Sequence, residues 1–178
     1  SASSCEIVDV PDLMDCLWSD RPPIPMTPIE TQDVENFGGE PRADKVAWLR
    51  KWMLLNEVDY VLLSSLDEIA WLLNVRGSDM EYNPLIISYL LVSQDAVKWF
   101  VRGANDLEGL DPDTKDSFEE LRMDDVEIHD YRLVEESLAE SFGSEDEDVV
   151  FVDPSTLNHH MMSLLKNLLS ENAVVYGK

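Results

Sequence analysis

The chain has 178 residues, 44% of them hydrophobic and five of them Trp, enough for one domain with a sizeable core and too apolar for disorder. Asp and Glu number 37 against 13 Lys and Arg, and a formal charge of −24 repels a phosphate backbone, which excludes nucleic acid as a partner. No apolar stretch approaches the ~20 residues that span a bilayer, so no membrane association is expected.

The opening Ser1–Val10 has neither the basic region nor the apolar run of a signal peptide. Cys5 and Cys16 lack disulfide-scaffold spacing, and Asn-x-Ser/Thr is absent, so a cytoplasmic protein with reduced thiols is expected. The chain does not begin with Met, which fits an expressed fragment.

Residues 1–40 read as a Pro-rich lead-in. Pro22, Pro23, Pro25 and Pro28 remove backbone donors and fix φ, which predicts an extended segment pinned on a surface, closed by Gly38-Gly39. Residues 41–178 read as a single α/β domain. From Asp44, Val46, Trp48, Leu49, Trp52, Met53 and Leu55 follow helical spacing, with Lys45, Arg50 and Lys51 on the outer face. Asp59–Leu63 reads as a buried strand, and Leu66–Leu73 as a second helix with Ser64 or Ser65 as its cap. Leu85–Val92 and Ala96–Val101 form a hairpin around Ser93-Gln94-Asp95. Helices at Thr114–Met123, Leu133–Ser141 and Thr156–Ser170 then alternate with strands at Val126–His129, Val149–Val152 and Ala173–Tyr176. This alternation predicts a mixed sheet with helices on its faces. The run Glu145–Asp148 reads as a solvated loop.

Chemistry-bearing patterns are scarce. His129, His159 and His160 are the three histidines, and adjacent His159 and His160 would diverge by about 100° on a helix, so they cannot easily share an ion. Asp111-Pro-Asp113-Thr-Lys-Asp116 fails as a calcium loop, with Lys115 at a ligand position and Asp116 where glycine is needed. There is no Gly-x-Ser-x-Gly elbow, phosphate loop or activated cysteine pattern. No metal, cofactor or catalytic residue is assigned within the chain.

Asn74–Pro84 stands apart, because it places Arg76, Ser78, Asp79, Glu81 and Asn83 between a helix and a strand, where binding groups tend to lie. The same residues could instead satisfy one another, with Asp79 or Asn83 capping the turn and Arg76 pairing with Asp79 or Glu81.

Leu66-Asp-Glu-Ile-Ala-Trp-Leu-Leu-Asn-Val-Arg-Gly-Ser-Asp-Met-Glu-Tyr-Asn-Pro84 with Ser88-Tyr89 resembles the middle domain of eukaryotic cytosolic aminopeptidase P, an Xaa-Pro aminopeptidase. Leu17-Trp-Ser-Asp-Arg-Pro-Pro-Ile-Pro25 and Asp44-Lys-Val-Ala-Trp-Leu-Arg50 resemble the start of that domain and its first helix. The likeness is strong from Met14 to Gly103, and beyond Ala104 only the order of elements agrees. Tyr82 departs from it, standing where the family often has His.

The resemblance implies a creatinase/prolidase N-terminal-like fold with a mixed, ribonuclease-H-like sheet. It implies a parent in which two such domains precede a pita-bread catalytic domain. There two divalent metals, usually manganese, would be held by two Asp, one His and two Glu, none of them assignable in this chain. The parent's substrates would be peptides with proline at position two, and the chain's partners its flanking domains; homodimerisation stays open. Arg76, Ser78, Asp79, Glu81 and Asn83 become substrate-cleft candidates, with Arg76, Asp79 and Glu81 reaching across to the neighbouring domain. An alternative is a stand-alone acidic module that binds basic proteins, as the peptidase-like part of a histone chaperone does.

Overall fold

The computed structural model of the chain describes residues 10, 13–142, 148–169 and 173–177. Its elements are α1 (Leu13–Leu17), β1 (Glu30–Thr31), α2 (Arg42–Leu55), β2 (Tyr60–Leu63), α3 (Leu66–Leu73), β3 (Val75–Arg76), β4 (Ser88–Ser93), β5 (Val97–Val101), α4 (Pro112–Met123), β6 (Val126–Asp130), α5 (Val134–Ser141), β7 (Val150–Val152), α6 (His159–Leu168) and β8 (Val174–Tyr176). A π-helical turn at Val34–Gly38 and a 3-10 turn at Tyr131–Leu133 complete the list.

Six of the strands form one sheet in the order β6-β5-β4-β2-β7-β8, while β1 pairs separately with β3. The β4 strand is antiparallel to both β2 and β5; β5–β6, β2–β7 and β7–β8 are parallel. Every strand but β4 therefore runs the same way, the mixed α/β sheet expected.

The strands are apolar on both faces because both are covered. Val61, Leu90, Val92, Val97, Trp99 and Val101 pack with residues of α2, α3 and α4. Leu62, Tyr89, Leu91, Phe100, Val150 and Val152 alternate with them and pack against α5 and α6. Trp99 meets Phe118 of α4 edge-to-face at 6.1 Å.

Several local expectations change. Within the lead-in, the proline-free stretch Leu13–Leu17 is helical and Val34–Gly38 is a π-turn; Arg21–Ile29 has no regular structure. Ile29–Thr31 is strapped to α4. Ile29 N–H donates to Thr114 Oγ1 at 2.8 Å, and Ser117 Oγ donates back to Ile29 O at 2.9 Å. Asp111, in the segment rejected as a calcium loop, is the N-cap of α4 and accepts from Thr114 N–H at 3.0 Å, with Pro112 in the first turn. Ser65 holds the N-cap position of α3, but its hydroxyl bonds to Asp67 rather than to a backbone N–H.

The largest change is in α2. Lys45, expected on the outer face, is 1% exposed, and Arg42 is 4% exposed, whereas Trp48, expected in the core stripe, is 61% exposed and Leu55 is also exposed. Cys5 and Glu145–Glu147 lie outside the described residues, and Cys16 is exposed. No helix among the described residues is long and apolar enough to cross a membrane.

Candidate functional site

With five strands pointing one way, the sheet has a distinct carboxyl end, the end at which open α/β sheets gather binding groups. It collects the β3–β4 loop, the segment after β5 and the turn after β6.

The loop is set from behind by α3. Its C-terminal carbonyls lack helical partners, and two buried cations from α2 supply the donors. Lys45 Nζ donates to Trp71 O at 2.7 Å and to Asn74 Oδ1 at 2.6 Å. Arg42 Nε donates to Leu73 O at 3.0 Å, while its other nitrogens meet Glu120 at 2.8 Å and Asp124 at 2.6 Å. Burial draws the Lys45 ammonium below the usual lysine range, with Glu40 opposing. Burial resists ionisation of Glu120, but the Thr31 hydroxyl and Arg42 together outweigh it and hold the carboxyl below its ordinary value. Asn74 takes the left-handed conformation (φ 54°), ending α3 and turning the chain into β3.

Arg76 does not pair with Asp79 or Glu81. Its Nη1 donates to Ala70 O at 2.9 Å and Val75 O at 2.7 Å, which ties β3 back to α3. Asp79 is buried and committed: Oδ1 accepts from Thr27 N–H and Thr27 Oγ1, each at 2.8 Å, and Oδ2 accepts from Ile87 N–H at 2.9 Å. Ser78 N–H donates to Thr27 Oγ1 at 2.8 Å, leaving the Ser78 side chain outward. Gly77 is packed so closely that a Cβ there would lie 2.6 Å from Ile86 Cγ1. The tip is Met80–Asn83, closed by Asn83 N–H to Met80 O at 3.2 Å. Glu81, Tyr82 and Asn83 are exposed, with Tyr82 at positive φ (66°) and 94% exposed. The five candidates thus divide: Arg76 and Asp79 hold the loop, while Ser78, Glu81 and Asn83 face outward.

Beside the loop, Asp130 at the end of β6 accepts from Arg132 N–H at 3.0 Å and Arg132 Nε at 2.8 Å. Asn105, with its amide oriented to satisfy both atoms, donates to Asp130 Oδ2 at 2.8 Å and accepts from Arg132 Nη2 at 2.6 Å. The Arg132 hydrogen bond, ahead of opposing burial, holds Asp130 below the usual carboxylate range. Tyr89 stacks on Tyr131 with centroids 5.5 Å apart and accepts from Asn158 Nδ2 at 2.7 Å. Burial, with Tyr131 nearby, pushes its phenol up to about 12.

Among the described residues no group of three or more His, Cys, Asp or Glu could hold a metal ion. His129 sits 3.2 Å from Glu127 and His160 3.1 Å from Glu135, each with one carboxylate. His159 lies 3.5 Å from Ser163 Oγ on the surface of α6. Among the described residues these pairs do not bring together the several ligands that a dinuclear metal site needs.

Sequence reasoning missed Arg42, Lys45 and Thr27. For the two cations a signal existed: they continue the Val46–Leu49–Met53 stripe at helical spacing. Thr27 had none, because its partner is 52 residues away.

The fold is that of an α/β domain with a six-stranded mixed sheet covered by helices on both faces and a polar loop at its carboxyl end. Residues 20–176 match the Creatinase/Prolidase N-terminal domain family, and the chain belongs to it. It is 32% identical to Xaa-Pro aminopeptidase app-1 of Caenorhabditis elegans over 179 residues, covering 98% of this chain and 27% of that protein. Aminopeptidase P1 of Lotus japonicus is 29% identical over 167 residues, covering 94% of this chain and 24% of that protein. The chain therefore spans about a quarter of the length of these relatives. Among solved structures, the X-prolyl aminopeptidase of Caenorhabditis elegans, described as a cytosolic enzyme with a di-nuclear active site, superposes with a TM-score of 0.77 at 29% identity. That match covers 95% of this chain and 26% of the enzyme.

Proposed function

We propose that the chain is a non-catalytic domain of a cytosolic Xaa-Pro aminopeptidase, which removes an N-terminal residue preceding proline. The observation that carries this reading is the match to the worm enzyme across 95% of the chain. In this reading the catalytic metals, two divalent ions and specifically manganese, are held by a neighbouring domain. This chain supplies a rigid wall of the substrate cleft and a docking face for that domain.

The β3–β4 loop is the part of the wall that meets substrate. Ser78, Glu81 and Asn83 point outward and reach a peptide or the neighbouring domain. Arg76 and Asp79 act through the loop as positioning residues, because their polar atoms are already bonded within the domain. A rigid loop holds its outward groups in place before substrate arrives, which lowers the ordering cost of binding.

The first test is hydrolysis of an Xaa-Pro peptide with added manganese by this chain and by a longer polypeptide containing it. The longer protein is expected to be active and the chain alone silent; activity in the chain alone would overturn the reading. Within the active protein, Glu81→Ala with Asn83→Ala is expected to lower kcat/KM about tenfold at unchanged melting temperature. An unchanged kcat/KM would leave the loop a structural element only.

A further inference from the structure

The α2 helix carries more apolar surface than the domain covers. Val46 and Met53 lie in the core and Leu49 packs against it, but Trp48, on an adjacent stripe, points out. Trp48 and Trp52 of α2, Trp71 of α3 and Phe151 of β7 line a cleft of about 430 Å³. Trp52 and Phe151 meet edge-to-face at 4.9 Å and form its floor. Trp48 and Trp71 stand 61% and 50% exposed, a cost in apolar hydration that is only partly offset at Trp71, where Lys45 Nζ lies 4.6 Å from the ring centroid.

The cleft's charge is one-sided. Glu68 and Asp153 line it, and no Lys or Arg does. Burial raises the Glu68 carboxyl above its ordinary value, and the negative charges of Asp67 and Asp153 add to the effect. The chain as a whole carries −24. An apolar floor between acidic residues on an acidic protein complements a segment that is both apolar and cationic.

We propose that the α2–α3 cleft is a docking groove for an amphipathic polypeptide segment bearing Leu or Phe flanked by Lys or Arg. The apolar side chains fill the space between Trp48, Trp52 and Trp71, and a cationic head meets Glu68 and Asp153 or lies over an indole face. A second copy of this chain is disfavoured as the occupant, because it would bring another −24 to an acidic groove. The inference is independent of the peptidase reading, since it uses no residue of the β3–β4 loop.

The test is calorimetric titration of this chain with a 14-residue Leu/Lys peptide in helical register and with its Leu/Glu counterpart. Expected are binding of the Leu/Lys peptide, none of the Leu/Glu peptide, and about a tenfold weaker Kd for Trp48→Ala/Trp71→Ala, a loss typical of exposed anchor residues. Both substitutions are at exposed positions, and circular dichroism with an unchanged Tm confirms the fold. Glu68→Gln with Asp153→Asn is expected to weaken binding a few-fold. Failure to bind would overturn the proposal, and so would an affinity that survives the tryptophan substitutions, since attraction would then come from the acidic surface at large. Sedimentation showing a dimer that Trp48→Ala dissolves would assign the groove to a second copy and overturn it equally.

Discussion

The two flanks of α3 reverse ordinary expectations in opposite directions. At its C-terminal end Arg42 and Lys45 are inside the molecule; along its other flank Trp48 and Trp71 are outside. The cations are buried because two backbone carbonyl oxygens and the Asn74 side-chain amide there need donors, and each charged nitrogen finds an acceptor within 3.0 Å. The tryptophans are exposed because no element among the described residues passes over β7 on that side. Burial thus follows partners, not the polarity of a residue taken alone.

The sharpest way to break the comparison is to remove one member of each flank. Arg42→Ala leaves Leu73 O without its donor and separates Glu120 and Asp124 from their cation; a loss of about 3 kcal/mol is expected in urea unfolding, less than for a fully buried pair because both carboxylates are partly exposed. Trp48→Ala should cost under about 0.5 kcal/mol. Equal losses would sink the contrast.

Asp79→Ala should come next, at about 2 kcal/mol, since it orphans the N–H groups of Thr27 and Ile87. Hydrogen exchange should show those two amides opening faster while the sheet amides do not change. Gly77→Ala is expected to cost about 1–2 kcal/mol, because the added methyl must displace Ile86; an unchanged melting temperature would mean that Ile86 moves aside freely.

Tyr89 makes its difference only at high pH. The fold keeps its phenol protonated up to about 12, against an ordinary value of 10.0, so the unfolded chain loses this proton first. The contribution is whole below about pH 10 and drains away between there and 12. Burial, with Asp148, Asp59 and Asp95 nearby, also raises Tyr60, so absorbance titration should show two tyrosines ionising late, and Tyr89→Phe should remove the step near 12. The smallest effect is expected at the loop tip, where Glu81→Ala should leave stability within about 0.5 kcal/mol of the parent. A large loss there would contradict the division between loop-holding and outward residues.

Much of the fold was legible in the sequence. The runs expected at Asp59–Leu63 and Ala96–Val101 are strands within one residue of those bounds, since β-branched and aromatic residues between turn signals favour strand. The run expected at Leu85–Val92 becomes strand only from Ser88 and continues through Ser93, which was expected in the turn. The family resemblance, carried by Leu66–Pro84, agrees with the family match. Less of the candidate site could be read. The spacing places Arg76 and Asp79 in one loop, but two arrangements of their bonds fit the same letters, and pairing between them was one of those. The structure chose another, with Arg76 turned to the end of α3 and Asp79 to Thr27.

By itself the sequence determined the class of the fold, the main helices and strands of residues 41–178 and the position of the loop, because those follow from local periodicity, turn chemistry and helix caps, whereas the short α1, β1 and β3 went unread. Only the tertiary structure decided the strand order that puts β2 between β4 and β7, the burial of Arg42 and Lys45, the use of Asp79 by a threonine 52 residues away, and the uncovered cleft over Phe151. Each of these depends on which distant segment lies alongside, and the free energy of a polar or apolar group is set by that neighbour more than by the group itself.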